Sequence, residues 1–133
     1  MAQALATALQ TVWVPEFARY YLENLGRAYQ REDLRQIARG QAAWEEWYQS
    51  QASRFLICDT DWTVLHVWEN FRYGPSETGN WVWQSGYASP SPADLYLLCL
   101  PDFPWQPDPL REHPEERMSL FQWYEQLLIR HKA

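Results

Sequence analysis

Three short apolar runs, at residues 11–14, 55–58 and 95–100, alternate with longer stretches whose apolar residues recur at helical spacing. That alternation limits the fold more than any other feature, because strands joined through helices pair in parallel. The run LYLLCL at 95–100 has six apolar residues without alternation, the pattern of a parallel strand buried on both faces. Pro15 and Pro101 close the first and third runs, where a residue without an N–H costs no ladder bond. Helices are expected at 2–9, 16–24, 31–52, 62–71 and 114–130. The longest carries Leu34, Ile37, Ala38, Trp44, Tyr48 and Ala52 on one stripe. Gly40 interrupts it at a cost of about 1 kcal/mol relative to alanine, which points to close packing or a bend. The segment 62–71 is apolar on nearly every side and reads as a buried helix. The last helix opens with Pro114, Glu115 and Glu116 and ends with Arg130, His131 and Lys132, matching its dipole. Its expected buried stripe is Met118, Phe121, Tyr124, Leu127 and Leu128. The sequence predicts a single α/β domain over 1–133 with a parallel sheet flanked by helices.

Charge narrows the function. Eleven basic residues against 17 acidic give a net charge of -6 and a pI near 5.0, which argues against binding a nucleic-acid backbone. No apolar run approaches the roughly 18 residues of a membrane span, and MAQALATALQ lacks the regions of a signal peptide, so a cytoplasmic location is expected. Cys58 and Cys99 lie in the apolar runs ICD and LLCL and are expected to be buried, inert thiols. Ten of the basic residues are arginine, and the only lysine is Lys132. The phosphate-cradling GxxxxGK[ST] loop therefore has no match; the nearest string, GPSETGN at 74–80, has asparagine where lysine is required.

Ligands of open α/β sheets bind beyond the carboxyl ends of the strands, and here those ends are acidic. Glu16 follows the first run, Asp59 and Asp61 follow the second in CDTD, and Asp102 follows the third. Carboxylates gathered along one edge cost energy unless a metal, an arginine or a hydroxyl-bearing ligand answers them; Mg²⁺ and a sugar hydroxyl are natural partners. The same residues also suit helix N-caps, and both readings stand. Arg111 and Arg117, in a proline-rich stretch and the helix after it, have the fork geometry for phosphate or can pair with Glu112, Glu115 and Glu116. Carboxylates opposite an arginine-bearing loop are components of phosphoryl transfer.

The stretches VWVPEFARYYLENLG, EDLRQIARGQAAWEE, FLICDTDWTVLHVW and DLYLLCLPDFPWQPDPLREHPEERMSLFQWYEQLL resemble, in order, the nicotinamide-riboside kinase domain of the bifunctional bacterial NAD-biosynthesis regulator, within the P-loop nucleoside kinases. CDTD and PDxPWxxDxxRxxPxxR carry most of the specificity. The resemblance implies a P-loop kinase-like sheet and ATP-dependent phosphorylation of the ribose hydroxyl of nicotinamide riboside, with ATP and Mg²⁺ as cofactors. By analogy, Glu16 contacts the ribose with Arg19 nearby. Asp59 is the candidate general base or Mg²⁺-linked carboxylate, with Asp61 the second choice for that role and a substrate contact. Arg111 and Arg117 belong to a lid over 101–117, and Trp105, Trp81 or Trp83 stacks on a flat ring. Core packing is the alternative for each tryptophan. Family members place a strand and a GxxGxGKST loop before a helix like AQALATAL and continue past the last helix, so the resemblance implies a domain truncated at the N-terminus and at the C-terminus. Two functions follow: a nucleoside kinase, or a non-catalytic binding or interaction protein of that fold, as a homo-oligomer or with a partner chain completing the sheet. A tryptophan-rich sugar-binding module fits less well, because most tryptophans fall in helical segments.

Overall fold

The computed structural model describes residues 1–74, 93–102, 104–108 and 115–130. The chain forms two compact units, Met1–Pro90 and Ser91–Ala133.

In the first unit the order is α1 (Ala2–Ala8), β1 (Trp13–Val14), α2 (Phe17–Leu25), α3 (Arg31–Gln49), β2 (Ile57–Cys58) and α4 (Trp62–Tyr73). The strands pair in parallel, Trp13 opposite Ile57 and Val14 opposite Cys58. The Asp59 N–H extends the ladder to the Val14 carbonyl at 2.9 Å. With α1 packed on both strands and α3 on β1, this is the α/β arrangement with a parallel sheet flanked by helices that the sequence predicts. Both strands are shorter than their apolar runs, and side chains explain why. The Thr11 hydroxyl donates to the Phe55 carbonyl at 2.6 Å and accepts the Ser53 N–H at 3.2 Å, so a hydroxyl takes the place of ladder bonds at the strand entry.

Helix ends follow local chemistry. α1 closes in a Schellman turn: Gln10 N–H to Thr7 O at 3.1 Å and Thr11 N–H to Ala6 O at 2.9 Å. α2 stops at Gly26, whose φ of 72° is left-handed. At the start of α3, Asp33 reaches back to accept the Gln30 N–H at 2.7 Å.

The core lies where α2, α3 and α4 meet: Ala18, Leu34, Ile37, Ala38, Trp62 and Leu65, bordered by Phe17, Tyr21, Leu22, Trp68 and Tyr73. α4 is buried nearly all round, as expected, through Trp62, Thr63, Leu65, His66, Val67 and Glu69. Gly40 marks close packing, because a Cβ there would collide with the Phe17 ring.

The second unit departs from expectation. Residues 95–100 adopt neither strand nor helix, and Leu95, Leu97 and Leu100 are 76%, 61% and 56% exposed. An apolar run supplies β-preference, but a strand exists only where a neighbour accepts its ladder bonds, and the described residues of this unit offer none. The last helix, α5 (Arg117–Arg130), buries Leu127 of the expected stripe and half-buries Phe121, Tyr124 and Leu128, but leaves Met118 exposed. Both cysteines are exposed rather than buried: Cys99 lies on the exposed run and Cys58 at the end of a two-residue ladder. Among the described residues no helix is long and apolar enough to cross a membrane.

Candidate functional site

Parallel pairing brings the carboxyl ends of β1 and β2 to one edge of the sheet. There Glu16, Thr60 and Asp61 share a cleft with Gln41 of α3 and with Leu65 and Trp68 of α4. Its volume of about 10 Å³ gives room for about one water or one hydroxyl group.

Glu16 occupies the N-cap position of α2 but makes no side-chain capping bond. Gln41 does that instead: its Oε1 accepts the Phe17 N–H at 3.0 Å, while its Nε2 donates to Glu45 Oε1 at 3.3 Å. Gln41 and Glu45 are both buried, so opposite partners fix both ends of the amide. The Glu16 carboxylate is thereby relieved of capping α2.

Asp61 both lines the cleft and caps α4, its Oδ1 accepting the Thr63 N–H at 2.9 Å. The cap reading therefore holds for Asp61 without removing it from the site. Asp59 is exposed and stands outside the cleft lining. The residue between them separates their directions: Thr60 has φ 72°. Left-handed backbone costs an L-residue about 1–2 kcal/mol, and a β-branched residue there is a true outlier. Gln10 also has positive φ, at 53°, but the Schellman turn of α1 accounts for it.

Trp68 is half-buried beside the cleft, its indole N–H donating to the Tyr29 hydroxyl at 2.9 Å. Arg19 lies on α2 outside the lining and pairs with Glu23 at 3.9 Å. In the second unit the Arg117 guanidinium sits 5.7 Å from the Trp105 ring centroid, and Asp102 is exposed. Trp81, Trp83 and Arg111 lie outside the described residues.

Among the described residues no three His, Cys, Asp or Glu side chains gather as a metal cluster. Mg²⁺ commonly takes only one or two carboxylates together with phosphate oxygens and water, and Glu16 and Asp61 are the carboxylates lining this cleft. The Phe17 N–H at the start of α2 is taken by Gln41 and the Thr63 N–H at the start of α4 by Asp61.

The sequence reading missed Gln41, Thr60 and Trp68. Gln41 had a signal: it stands four residues after Ile37, an amide on the buried stripe of α3. Thr60 had none, since a threonine in a DTD string carries no mark of left-handed backbone.

A search of curated proteins finds no match to the chain. A family model described as an AAA domain matches residues 1–133. That match spans both strand ends and the helices that follow them, and on it the chain belongs to the AAA domain family, a P-loop nucleotide-binding family.

Proposed function

We propose that the cleft at the β1 and β2 ends receives a sugar hydroxyl of a nucleoside, and that the chain serves the nucleoside side of a phosphoryl transfer. One observation carries this reading: Glu16 and Asp61, from two parallel strand ends, line a single hydroxyl-sized cleft. A carboxylate there accepts the hydrogen bond of the hydroxyl, orients its oxygen and can take its proton as that oxygen becomes a nucleophile. Family membership supports a nucleotide-type ligand. Nicotinamide riboside is the first substrate to test on the sequence resemblance, and its cationic ring suits an edge with two carboxylates and the Trp68 indole. In this reading Arg19 assists Glu16, Asp59 is the Mg²⁺-linked carboxylate, and Arg111 and Arg117 meet the transferred phosphate. Trp105 and Trp81 remain ring-stacking candidates.

Titrating nicotinamide riboside into the 133-residue chain while following tryptophan fluorescence tests the reading, with and without ATP and Mg²⁺ and with product analysis. Saturable quenching that Glu16→Gln and Asp61→Asn each weaken about tenfold or more is expected. No saturable response, or equal affinity in both variants, overturns it.

A second reading is favoured by the exposed leucines at 95, 97 and 100. Such a segment suits strand addition to another chain, as in an interaction protein. Concentration-dependent self-association lost on Leu97→Lys would support it.

A further inference from the structure

Thr60 combines three properties that no structural role accounts for. It is β-branched at φ 72°, where glycine, asparagine or aspartate sits at lower cost. It lines the same cleft as Glu16 and Asp61. Among the described residues its hydroxyl has no hydrogen-bond partner, and the cap of α4 is supplied by Asp61 instead.

The other polar groups of the cleft show what that hydroxyl adds. Ionised carboxylates only accept hydrogen bonds, and the Gln41 amide is engaged at both ends. A sugar hydroxyl is both donor and acceptor, so two carboxylates satisfy its proton but leave its oxygen lone pairs unanswered. A threonine hydroxyl donates and accepts.

Resting on the nucleoside reading above, we propose that Thr60 is a sugar-contacting residue: its hydroxyl donates to an oxygen of the ribose while Glu16 and Asp61 accept from the sugar hydroxyl. Strain at this position is kept because a residue with free left-handed backbone lacks a hydroxyl. The left-handed turn also separates Asp61, in the cleft, from Asp59, outside it.

The test uses the full chain, thermal melting and fluorescence titration with two probes, nicotinamide riboside and nicotinamide alone. Thr60→Gly relieves the backbone and removes the hydroxyl; the expected result is a higher Tm with affinity for the riboside about fivefold weaker and affinity for nicotinamide unchanged. Thr60→Ser keeps the hydroxyl, and riboside affinity should stay within about twofold of wild type. Thr60→Val, which keeps the shape and the β-branching but has no hydroxyl, should weaken the riboside as glycine does and serves if the glycine variant folds poorly. Opposite movement of stability and affinity is the signature, because a purely structural threonine would shift both the same way. Wild-type affinity in Thr60→Gly, or equal losses for both probes, overturns the proposal while leaving the nucleoside reading intact. Failure of the wild-type chain to bind the riboside overturns the reading and this proposal together.

Discussion

The Phe17 ring fills the space that a side chain at Gly40 would need. Phe17 is the first residue of α2 and Gly40 lies midway along α3, so this contact sets how closely the two helices approach. The same ring meets Trp44 edge-on at 4.8 Å, and the next residue on α3, Gln41, holds the Phe17 N–H. Helix propensity alone says that Gly40→Ala stabilises by about 1 kcal/mol. Overpacking costs about 1–3 kcal/mol, and the ring, held by Trp44 and by its own backbone bond, has little room to retreat. Gly40→Ala should therefore lower stability by up to about 2 kcal/mol net in urea titration. Adding Phe17→Leu should recover part of that loss. A Gly40→Ala protein more stable than wild type would refute the packing account.

Acid sensitivity should centre on Asp33. Arg27 grips both carboxylate oxygens, at 2.8 and 2.9 Å, the Tyr21 hydroxyl donates at 2.7 Å and the Gln30 N–H at 2.7 Å. The Arg27 hydrogen bonds, opposed by burial and aided by Tyr21 and the Gln30 N–H, hold the carboxyl well below the usual carboxylate range. A depressed folded-state value contributes stability that is present above the unfolded pKa of about 3.9 and is lost as pH falls through the folded value. The urea midpoint of wild type should fall below pH 4, and Asp33→Asn should show a lower midpoint at pH 7 but a smaller further fall at pH 3. Equal acid slopes in the two proteins would remove Asp33 from the account. Tyr21→Phe, which deletes one neutral donor, should cost about 1 kcal/mol.

These two networks show what the sequence could and could not disclose. Pro15 with Glu16 and the CDTD string located the strand ends, and Gly40 pointed to close packing or a bend, of which the structure shows the close packing. Each of those signals is local: a missing N–H, a missing Cβ. The exposed run at 95–100 and the exposed Met118 were not legible, because burial needs an opposing surface and apolar periodicity cannot report whether one is present. The cleft was half legible. Acidic residues at strand ends were visible, but the choice of Asp61 over Asp59 depends on one backbone angle at Thr60, and the release of Glu16 from capping depends on Gln41, 25 residues later in the chain.

Cys58 should be slow to react despite being exposed over the residue as a whole. Burial on its inner side, with the Glu45 and Asp61 carboxylates adding to it, pushes the thiol up to about 12. The thiolate is the nucleophile, so little of it exists at pH 8. Maleimide or disulfide-exchange labelling at Cys58, assigned by difference from Cys58→Ser, should be much slower than for free cysteine and should accelerate as pH is raised above 10. Glu45→Gln removes one negative neighbour and should quicken labelling at pH 8. A rate matching free cysteine at pH 8 would contradict the desolvated environment.

Asp61 carries two duties that substitution can separate. As the N-cap of α4 it accepts the Thr63 N–H at 2.9 Å through Oδ1, and asparagine performs that duty about as well as aspartate. As a cleft residue it supplies negative charge, which asparagine lacks. Asp61→Asn should thus melt within a degree or two of wild type yet bind nicotinamide riboside about tenfold more weakly. Asp61→Ala should lose both, with a stability cost of about 1 kcal/mol from the missing cap. Asp59→Asn changes a carboxylate outside the cleft lining and should leave nucleoside affinity in the absence of Mg²⁺ nearly unchanged, while a Mg²⁺-dependent gain, if Asp59 carries one, would disappear in that variant. If Asp61→Asn instead binds as tightly as wild type while Asp59→Asn does not, the carboxylate that matters is the exposed one, and the ligand lies along the outer edge of the β2 turn rather than in the cleft.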